Sequence, residues 1–268
     1  MIDINPKEIY RFLGYRNITP TPEIDERINV CVNKMQKSSS PRCFYRKFSV
    51  AAKEPDVTEI AGLSIHSKNL YKNLSGCDYA YMFAATVGIG IDHLIKRGEV
   101  ESIMDAAIYQ AAGAAMIEAY ADSEVEKIRN AEDKSGYRLR PRYSPGYGDL
   151  PLALQSDFAR ILDMQKWCGI SLTDTLLMVP SKSITAFIGC AKSSALPESD
   201  YLAKTINPME ATGLSAKGAT GNEMISRKYC NLAQDASEDR HTERGKNLTG
   251  SHSCHDCRKA KDCLYRMV

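Results

Sequence analysis

One stretch in the second half of the chain combines turn-forming residues with a cation and an aromatic ring. It reads Arg142-Tyr143-Ser144-Pro145-Gly146-Tyr147-Gly148-Asp149, with a second proline at position 151. Pro145 fixes its own φ angle, and the two glycines permit backbone angles that other residues avoid, so the sequence predicts a rigid, tight turn. Arg142 can bind a carboxylate through two parallel hydrogen bonds. The stretch therefore suits a ligand that carries a carboxylate and a flat ring, although an ordinary loop with a solvent-facing arginine has the same local chemistry.

The longest helical pattern covers residues 101–130 and contains an acidic residue on its apolar side. Its apolar stripe consists of Met104, Ile108, Ala111, Ala115 and Val125. Glu118 follows Ala111 by seven residues, so it lies within about 20° of Ala111 around the helix, inside that stripe, and Asp122 comes one turn later. A carboxylate on a buried face costs several kcal/mol unless a cation or hydrogen-bond donors meet it. Glu118 is therefore predicted to form an ion pair, with Arg142 as a candidate partner, or to contact a ligand.

These segments resemble the reactivation domain of cobalamin-dependent methionine synthase, which binds S-adenosylmethionine (AdoMet). The Arg-x-x-Pro-Gly-Tyr core of that family is present as Arg142, Pro145, Gly146 and Tyr147, with Ser144 in place of the family's alanine. Residues 118–122 are similar to its Glu-Ala-aromatic-Ala-acid helix. Residues 178–187 are similar to its Met-x-Pro-x-x-Ser-x-x-Gly-aromatic strand, with Ala186 in place of the glycine. The resemblance covers roughly residues 1–192.

The resemblance implies an α+β fold with a curved antiparallel sheet, flanking helices and a shallow AdoMet site. In that site Glu118 would bind the ammonium group and Arg142 the carboxylate of the methionyl end. The resemblance also assigns to the site the turn residues Ser144, Pro145, Gly146, Tyr147 and Gly148, and it places Ser183 and Ala186 beside the adenosyl group.

The reaction implied by the resemblance is reductive methylation of cobalamin. Cob(II)alamin takes an electron from a reduced flavodoxin or ferredoxin and a methyl group from AdoMet, which restores methylcobalamin. The sequence contains no Asp-x-His-x-x-Gly cobalt-ligand motif. Cobalamin is therefore expected on a partner, either a cobalamin-binding methionine synthase or another corrinoid protein, and this chain is expected to be a component of such a methyltransferase rather than a complete enzyme.

Two other functions fit the same residues. One is an AdoMet-dependent methyltransferase for a small molecule, which would need a base beside Arg142 that the sequence does not show. The other is a non-catalytic protein that senses AdoMet or docks a partner, with a structural metal knuckle in its tail.

The last part of the chain differs in composition and ends in a cysteine cluster. Residues 195–253 are rich in Ser, Thr, Asn, Gly and Lys, which predicts a polar, partly disordered extension after a domain at residues 1–194. In residues 254–268, Cys254, Cys257 and Cys263 have metal-ligand spacing, and the predicted fourth ligand is Cys230, with His252, His255 and Cys190 as alternatives. This spacing favours a metal site over free thiols and leaves zinc and an iron–sulfur cluster both open.

The overall composition is that of a globular protein with no strong charge bias. The chain has 268 residues, 43% of them hydrophobic, and 35 Lys+Arg balance 33 Asp+Glu, so neither a nucleic-acid nor a membrane-surface partner is indicated. The N-terminal residues show no basic segment followed by an apolar run. A cytoplasmic location is therefore expected, with the nine cysteines as core thiols or metal ligands rather than disulfides.

Hydrophobic periodicity predicts further elements along the chain. These are helical structure over residues 6–37, strands over 43–50 and 79–85, a helix beginning near Asp92, a helix over 156–167, and a β-hairpin or strand-turn-strand over 176–188.

Overall fold

The computed structural model describes residues 1–15, 19–53 and 55–193. Its helices are α1 Pro6–Phe12, α2 Pro22–Ser38, α3 Lys68–Leu74, α4 Ile89–Glu101, α5 Ile103–Asp133, α6 Leu154–Leu162 and α7 Met164–Cys168. Its strands are β1 Arg42–Lys53, β2 Val57–Ile60, β3 Leu63–His66, β4 Tyr79–Thr86, β5 Tyr137–Leu139, β6 Ser171–Leu172, β7 Met178–Val179 and β8 Ser183–Lys192.

The main sheet has six strands in the order β3-β2-β1-β4-β8-β5. Every neighbouring pair in it is antiparallel. In the central pairing Thr86 lies opposite Ser183 and Tyr79 opposite Cys190, so the first residues of β8 meet the last residues of β4. Strands β6 and β7 form a separate two-stranded ribbon.

Both faces of the sheet are covered, which explains why β4 is a continuous apolar run. Along β4, Tyr81, Phe83 and Ala85 pack with α1, α2, α4 and α5, whereas the alternating residues pack with α3, α6 and α7. Those alternating residues are Ala80, Met82 and Ala84. Successive strand side chains point to opposite faces, so one strand contributes to two hydrophobic cores.

Helix α5 passes along the whole length of β4 and β8. The hydroxyl of Ser102 caps its first turn by accepting a hydrogen bond from the Asp105 amide (3.3 Å). Gly113 lies beside the side chain of Lys182, just before β8 begins. Near the other end, Glu132 accepts hydrogen bonds from Tyr79 and Tyr81 at the start of β4. The residues between these two points, including Glu118, therefore lie beside the middle of the sheet.

Most predicted elements are confirmed, and two details are wrong. The helix predicted over residues 156–167 is two helices, α6 and α7, because Asp163 adopts a left-handed φ of +48° between them. Of the two arrangements predicted for residues 176–188, the strand-turn-strand is the one observed: β7 pairs with β6, and β8 pairs with β4 and β5. Met104 is 55% exposed and does not belong to the buried stripe of α5.

The predicted extension and cysteine cluster fall outside the described residues, and so do the proposed ligands Cys230, Cys254, Cys257 and Cys263. The domain boundaries near residues 194 and 253 remain predictions for the same reason. The alternative ligand Cys190 is fully buried within β8. None of the described helices combines the length and apolar character that a membrane crossing requires.

Candidate functional site

The turn at residues 142–149 is anchored at both ends. Near its start, Tyr143 and Phe187 of β8 exchange two backbone hydrogen bonds of 2.9 and 2.8 Å. At its end, the Asp149 carboxylate accepts hydrogen bonds from the Ser67 hydroxyl (2.5 Å) and the Lys68 amide (2.7 Å) at the beginning of α3. The turn is therefore held between the sheet and the first turn of a helix.

The two glycines of the turn have the conformations that the sequence predicts. Gly146 has a φ of +90° and Gly148 a φ of +54°, both in the region that side chains disfavour. A Cβ atom at position 148 would lie 2.5 Å from Asn69 Nδ2 and 2.6 Å from Tyr143 Oη. Gly148 is therefore required both by its backbone angle and by the close approach of its neighbours.

Arg142 joins the turn to helix α5 through two ion pairs. Its Nη2 atom donates to Glu118 Oε2 and to Asp122 Oδ1, each at 2.8 Å. The side chain of Arg142 is 13% exposed, that of Glu118 36% and that of Asp122 73%. The predicted ion pair between Glu118 and Arg142 is confirmed, but Glu118 lies at the margin of the apolar face rather than inside it.

Tyr147 lies next to this charged group. The Tyr143 hydroxyl donates a hydrogen bond to the Tyr147 carbonyl oxygen (3.2 Å). Tyr147 is 41% exposed. Desolvation raises the pKa of the Tyr147 phenol, the negative charge of Glu118 raises it further, and Arg142 opposes the shift. A carboxylate, a guanidinium and a partly exposed ring thus share one surface, which is suited to a zwitterionic amino acid joined to an aromatic group.

The two predicted residues of β8 are placed differently. Ala186 is fully buried and precedes Phe187, the residue that bridges to the turn. Ser183 is four residues from Phe187, or roughly 13 Å along a strand. Its buried hydroxyl donates to the Pro180 carbonyl oxygen (2.7 Å) and lies 2.8 Å from Thr86 Oγ1. The structure therefore brings Ala186 next to the turn and places Ser183 at the far end of the strand.

The role of Asp149 was not predicted from the sequence. Its carboxylate completes the cap of α3, whose formal N-cap Ser67 also accepts a hydrogen bond from the Leu70 amide (3.0 Å). Burial raises the pKa of Asp149, but the hydrogen bonds from Ser67, Lys68 and Asn69 outweigh it and leave the pKa below its usual value. A serine before a helix is a recognisable start signal. Nothing in the local pattern links it to a residue 82 positions later.

Within residues 1–15, 19–53 and 55–193, no group of three or more His, Cys, Asp and Glu side chains could hold a metal ion. The five cysteines of this part of the chain, which are Cys31, Cys43, Cys77, Cys168 and Cys190, are free thiols. Desolvation raises the pKa of each, which suits core positions rather than reactive thiolates.

Comparison with known proteins finds a matching family and similar solved structures. The family model for the vitamin B12 dependent methionine synthase, activation domain, matches residues 69–203, which is half of the chain. The crystal structure of the MetH reactivation domain bound to AdoHcy is similar with a TM-score of 0.55 and 19% identity, and the match covers 72% of this chain and 76% of that one. No curated protein matches significantly. The predicted α+β fold, similar to an activation domain, is confirmed.

Proposed function

The chain belongs to the vitamin B12 dependent methionine synthase activation domain family, and we propose that it binds AdoMet and supports reductive methylation of cobalamin on another protein. The proposed partner is a cobalamin-binding methionine synthase or a related corrinoid protein. A reduced flavodoxin or ferredoxin is the proposed electron donor. The chain would act in the cytoplasm as a component of that methyltransferase system.

The observation that carries this proposal is the pairing of Arg142 with two carboxylates beside Tyr147. An α-amino acid presents one ammonium and one carboxylate on the same carbon, so it needs a cation and an anion within a few ångströms of each other. Glu118 and Arg142 offer that pair on one surface. We assign the ammonium to Glu118 and the carboxylate to Arg142.

The turn supplies the remainder of the proposed site. Ser144, Pro145, Gly146 and Gly148 are the proposed main-chain contacts of the adenosyl part, next to Tyr147 in the turn. Ala186 and Ser183 of β8 are the other proposed contacts of the adenosyl group: Ala186 precedes Phe187, which bridges to the turn, and Ser183 lies at the far end of that strand. A related activation domain has been solved with AdoHcy bound, which is consistent with a site for the demethylated form of AdoMet.

AdoMet, when bound, supplies a methyl group to the cobalt of cob(II)alamin as the cobalamin takes up one electron, leaving AdoHcy. The residues of this chain bind and orient the donor, and no proton has to be moved by them. Methylation of a hydroxyl or amine substrate would need a base to remove a proton. The proposed function assigns no residue to that role, and this separates the two functions. A metal site at Cys230, Cys254, Cys257 and Cys263 remains a prediction from spacing alone.

Calorimetric titration with AdoHcy tests the binding site. Arg142→Ala and Glu118→Gln should each lose about 1.5–3 kcal/mol of binding free energy, the range for a hydrogen bond to a charged group. Arg129→Ala is the matched control, because Arg129 lies on α5 and pairs with Glu126 instead of the site residues. If the parent binds and both site variants bind equally well, the assigned residues are wrong.

The reaction requires a second experiment. The purified chain is mixed with a cob(II)alamin-loaded corrinoid protein, reduced flavodoxin and methyl-labelled AdoMet. Label on cobalamin, accompanied by the absorption change of methylcobalamin, is the expected result, and it should depend on Arg142. Label on a small molecule in the absence of cobalamin would instead establish the rival methyltransferase activity.

A further inference from the structure

The Nη2 atom of Arg142 already uses its hydrogen bonds within its own chain. Nη2 has two N–H groups. One points to Glu118 Oε2 and the other to Asp122 Oδ1, with both distances 2.8 Å. Two carboxylates of the same helix therefore use both hydrogens of one guanidinium nitrogen.

This arrangement conflicts with two-point binding of a ligand carboxylate. A guanidinium binds a carboxylate through a pair of parallel N–H groups, and Nη2 belongs to both available pairs, with Nε on one edge and with Nη1 on the other. A ligand can therefore form the two-point contact only when Glu118 or Asp122 releases its hydrogen.

Asp122 is the residue that is easier to release. Its side chain is 73% exposed, twice as much as the 36% of Glu118, and exposed ion pairs contribute little to stability. The two acids are four residues apart on α5, where like charges repel each other. Glu118 is also the residue assigned to the ligand ammonium, so it has a partner in the complex, whereas Asp122 would face the ligand carboxylate with the same sign of charge.

We propose that Asp122 is an internal competitor for the carboxylate position of this site, and that a ligand carboxylate must displace it from Arg142 Nη2 to form the two-point contact. The inference rests on the proposed function, since it concerns the amino-acid end of the same ligand. Asp122 then lowers the affinity for adenosyl ligands that carry an amino acid, and it has no such effect on adenosyl ligands that lack one.

The test uses Asp122→Asn, which keeps the shape of the side chain but removes its charge. AdoHcy is the ligand, because its amino acid is zwitterionic and it lacks the sulfonium charge of AdoMet. Titration calorimetry should show an affinity gain of about two- to fivefold, or about 0.4–1 kcal/mol at 1.4 kcal/mol per tenfold. Asp122→Ala, which also removes the acceptor oxygen, should gain at least as much.

Two controls separate competition from a general effect of charge. Glu126→Gln removes one negative charge a turn further along α5, where Glu126 pairs with Arg129, and it should leave AdoHcy binding unchanged. The second control is 5′-methylthioadenosine, which has the nucleoside and the thioether but no amino acid. Asp122→Asn should not improve its binding.

Each outcome decides between the ideas. Tighter AdoHcy binding by Asp122→Asn, without tighter methylthioadenosine binding, supports competition at Arg142. Unchanged or weaker AdoHcy binding, or an equal gain for both ligands, overturns the inference and leaves the proposed function in place. If neither the parent nor the variant binds AdoHcy, the inference and the proposed function fail together. If the variant alone binds AdoHcy, the result supports the inference and the proposed function.

Discussion

Lys182 is a buried lysine whose cost to stability can be measured through its pH dependence. Lys182 is 5% exposed, and its Nζ atom donates a hydrogen bond to Gln110 Oε1 (2.8 Å). Its aliphatic stem covers Gly113, where an added Cβ would lie 3.0 Å from Lys182 Cε. Burial lowers the pKa of Lys182 from 10.5 to about 8, and the negative charge of Asp92 opposes the shift.

The sign of the effect follows from proton binding. Between pH 8 and 10.5 the unfolded chain binds a proton at this position that the folded chain does not, so the contribution of Lys182 to stability rises with pH across that window. Below pH 8 the cost of burying the amine is fully present. The difference between 10.5 and about 8, at about 1.36 kcal/mol per pKa unit, corresponds to roughly 3 kcal/mol.

Lys182→Met removes the amine while keeping an unbranched chain over Gly113. The variant loses the hydrogen bond to Gln110, worth about 1 kcal/mol, and the partly exposed amide of Gln110 can turn to water instead. At pH 7 we therefore expect the variant to be more stable than the parent by roughly 2 kcal/mol. As the pH rises from 8 to 10.5, this difference should fall by roughly 3 kcal/mol, so that the variant ends roughly 1 kcal/mol less stable than the parent.

The free energy of unfolding is measured in urea at several pH values for the parent, for Lys182→Met and for the control Lys96→Met. Lys96 is an exposed lysine on α4, so its substitution should have little effect. Effects of alkaline pH on the tyrosines cancel in the comparison between variant and parent. A variant that is less stable at pH 7, or an advantage that stays constant up to pH 10.5, would refute the reasoning.

Three further predictions concern the turn and the far end of α5. Gly136→Ala, with a φ of +77° and nothing near the added methyl group, should lose about 1 kcal/mol of stability. Gly148→Ala should lose roughly 1–3 kcal/mol more than Gly136→Ala, because its methyl group overlaps Asn69 and Tyr143. Equal losses of unfolding free energy for the two variants in urea would contradict this. Asp149→Asn should cost about 1 kcal/mol at pH 7. Because the pKa of Asp149 is lowered, the difference in unfolding free energy between parent and variant should shrink as the pH falls below 3.8. A difference that grows below that pH would contradict the prediction. Glu132→Gln should cost roughly 2–3 kcal/mol, since this buried carboxylate accepts from two tyrosine hydroxyls and pairs with Lys47 at 2.6 Å. A double-mutant cycle with Lys47→Met should show that the two stability losses are coupled, since Lys47 and Glu132 form an ion pair. Strictly additive losses would argue against a stabilising pair.

The turn and the acidic helix were predictable because local chemistry restricts them. Proline and glycine limit the backbone angles at residues 145–148 whatever surrounds them, and the observed φ of +90° at Gly146 is of the kind that glycine permits. Helical periodicity likewise predicted Glu118 on the apolar face, although it lies at the margin of that face, and the cost of an unpaired carboxylate required a partner. Both statements depend on residues within one element, which is why they could be made without coordinates.

Strand partners were less predictable because pairing depends on distant residues. The segment before Pro180 contains only two strand residues, Met178 and Val179, and they pair with β6 instead of β8. The sequence of β8 is equally compatible with a hairpin and with insertion between β4 and β5. In the structure β8 lies between β4 and β5, and helices far away in sequence cover both faces of the sheet. The clamp between Asp149 and the start of α3 belongs to the same class of long-range contact.

The position of the site follows from these long-range contacts rather than from any one motif. Helix α5 brings Glu118 and Asp122 beside the middle of the sheet, while β8 and α3 together hold the turn that carries Arg142. The ion pairs that join the two parts are partly exposed, so they contribute little to the stability of the fold. Weak pairing is what the proposed function requires here. A buried, strongly stabilising pair at Arg142 would have to be broken by every ligand at a cost of several kcal/mol, whereas the observed pairs can be exchanged for those of an amino acid at little cost.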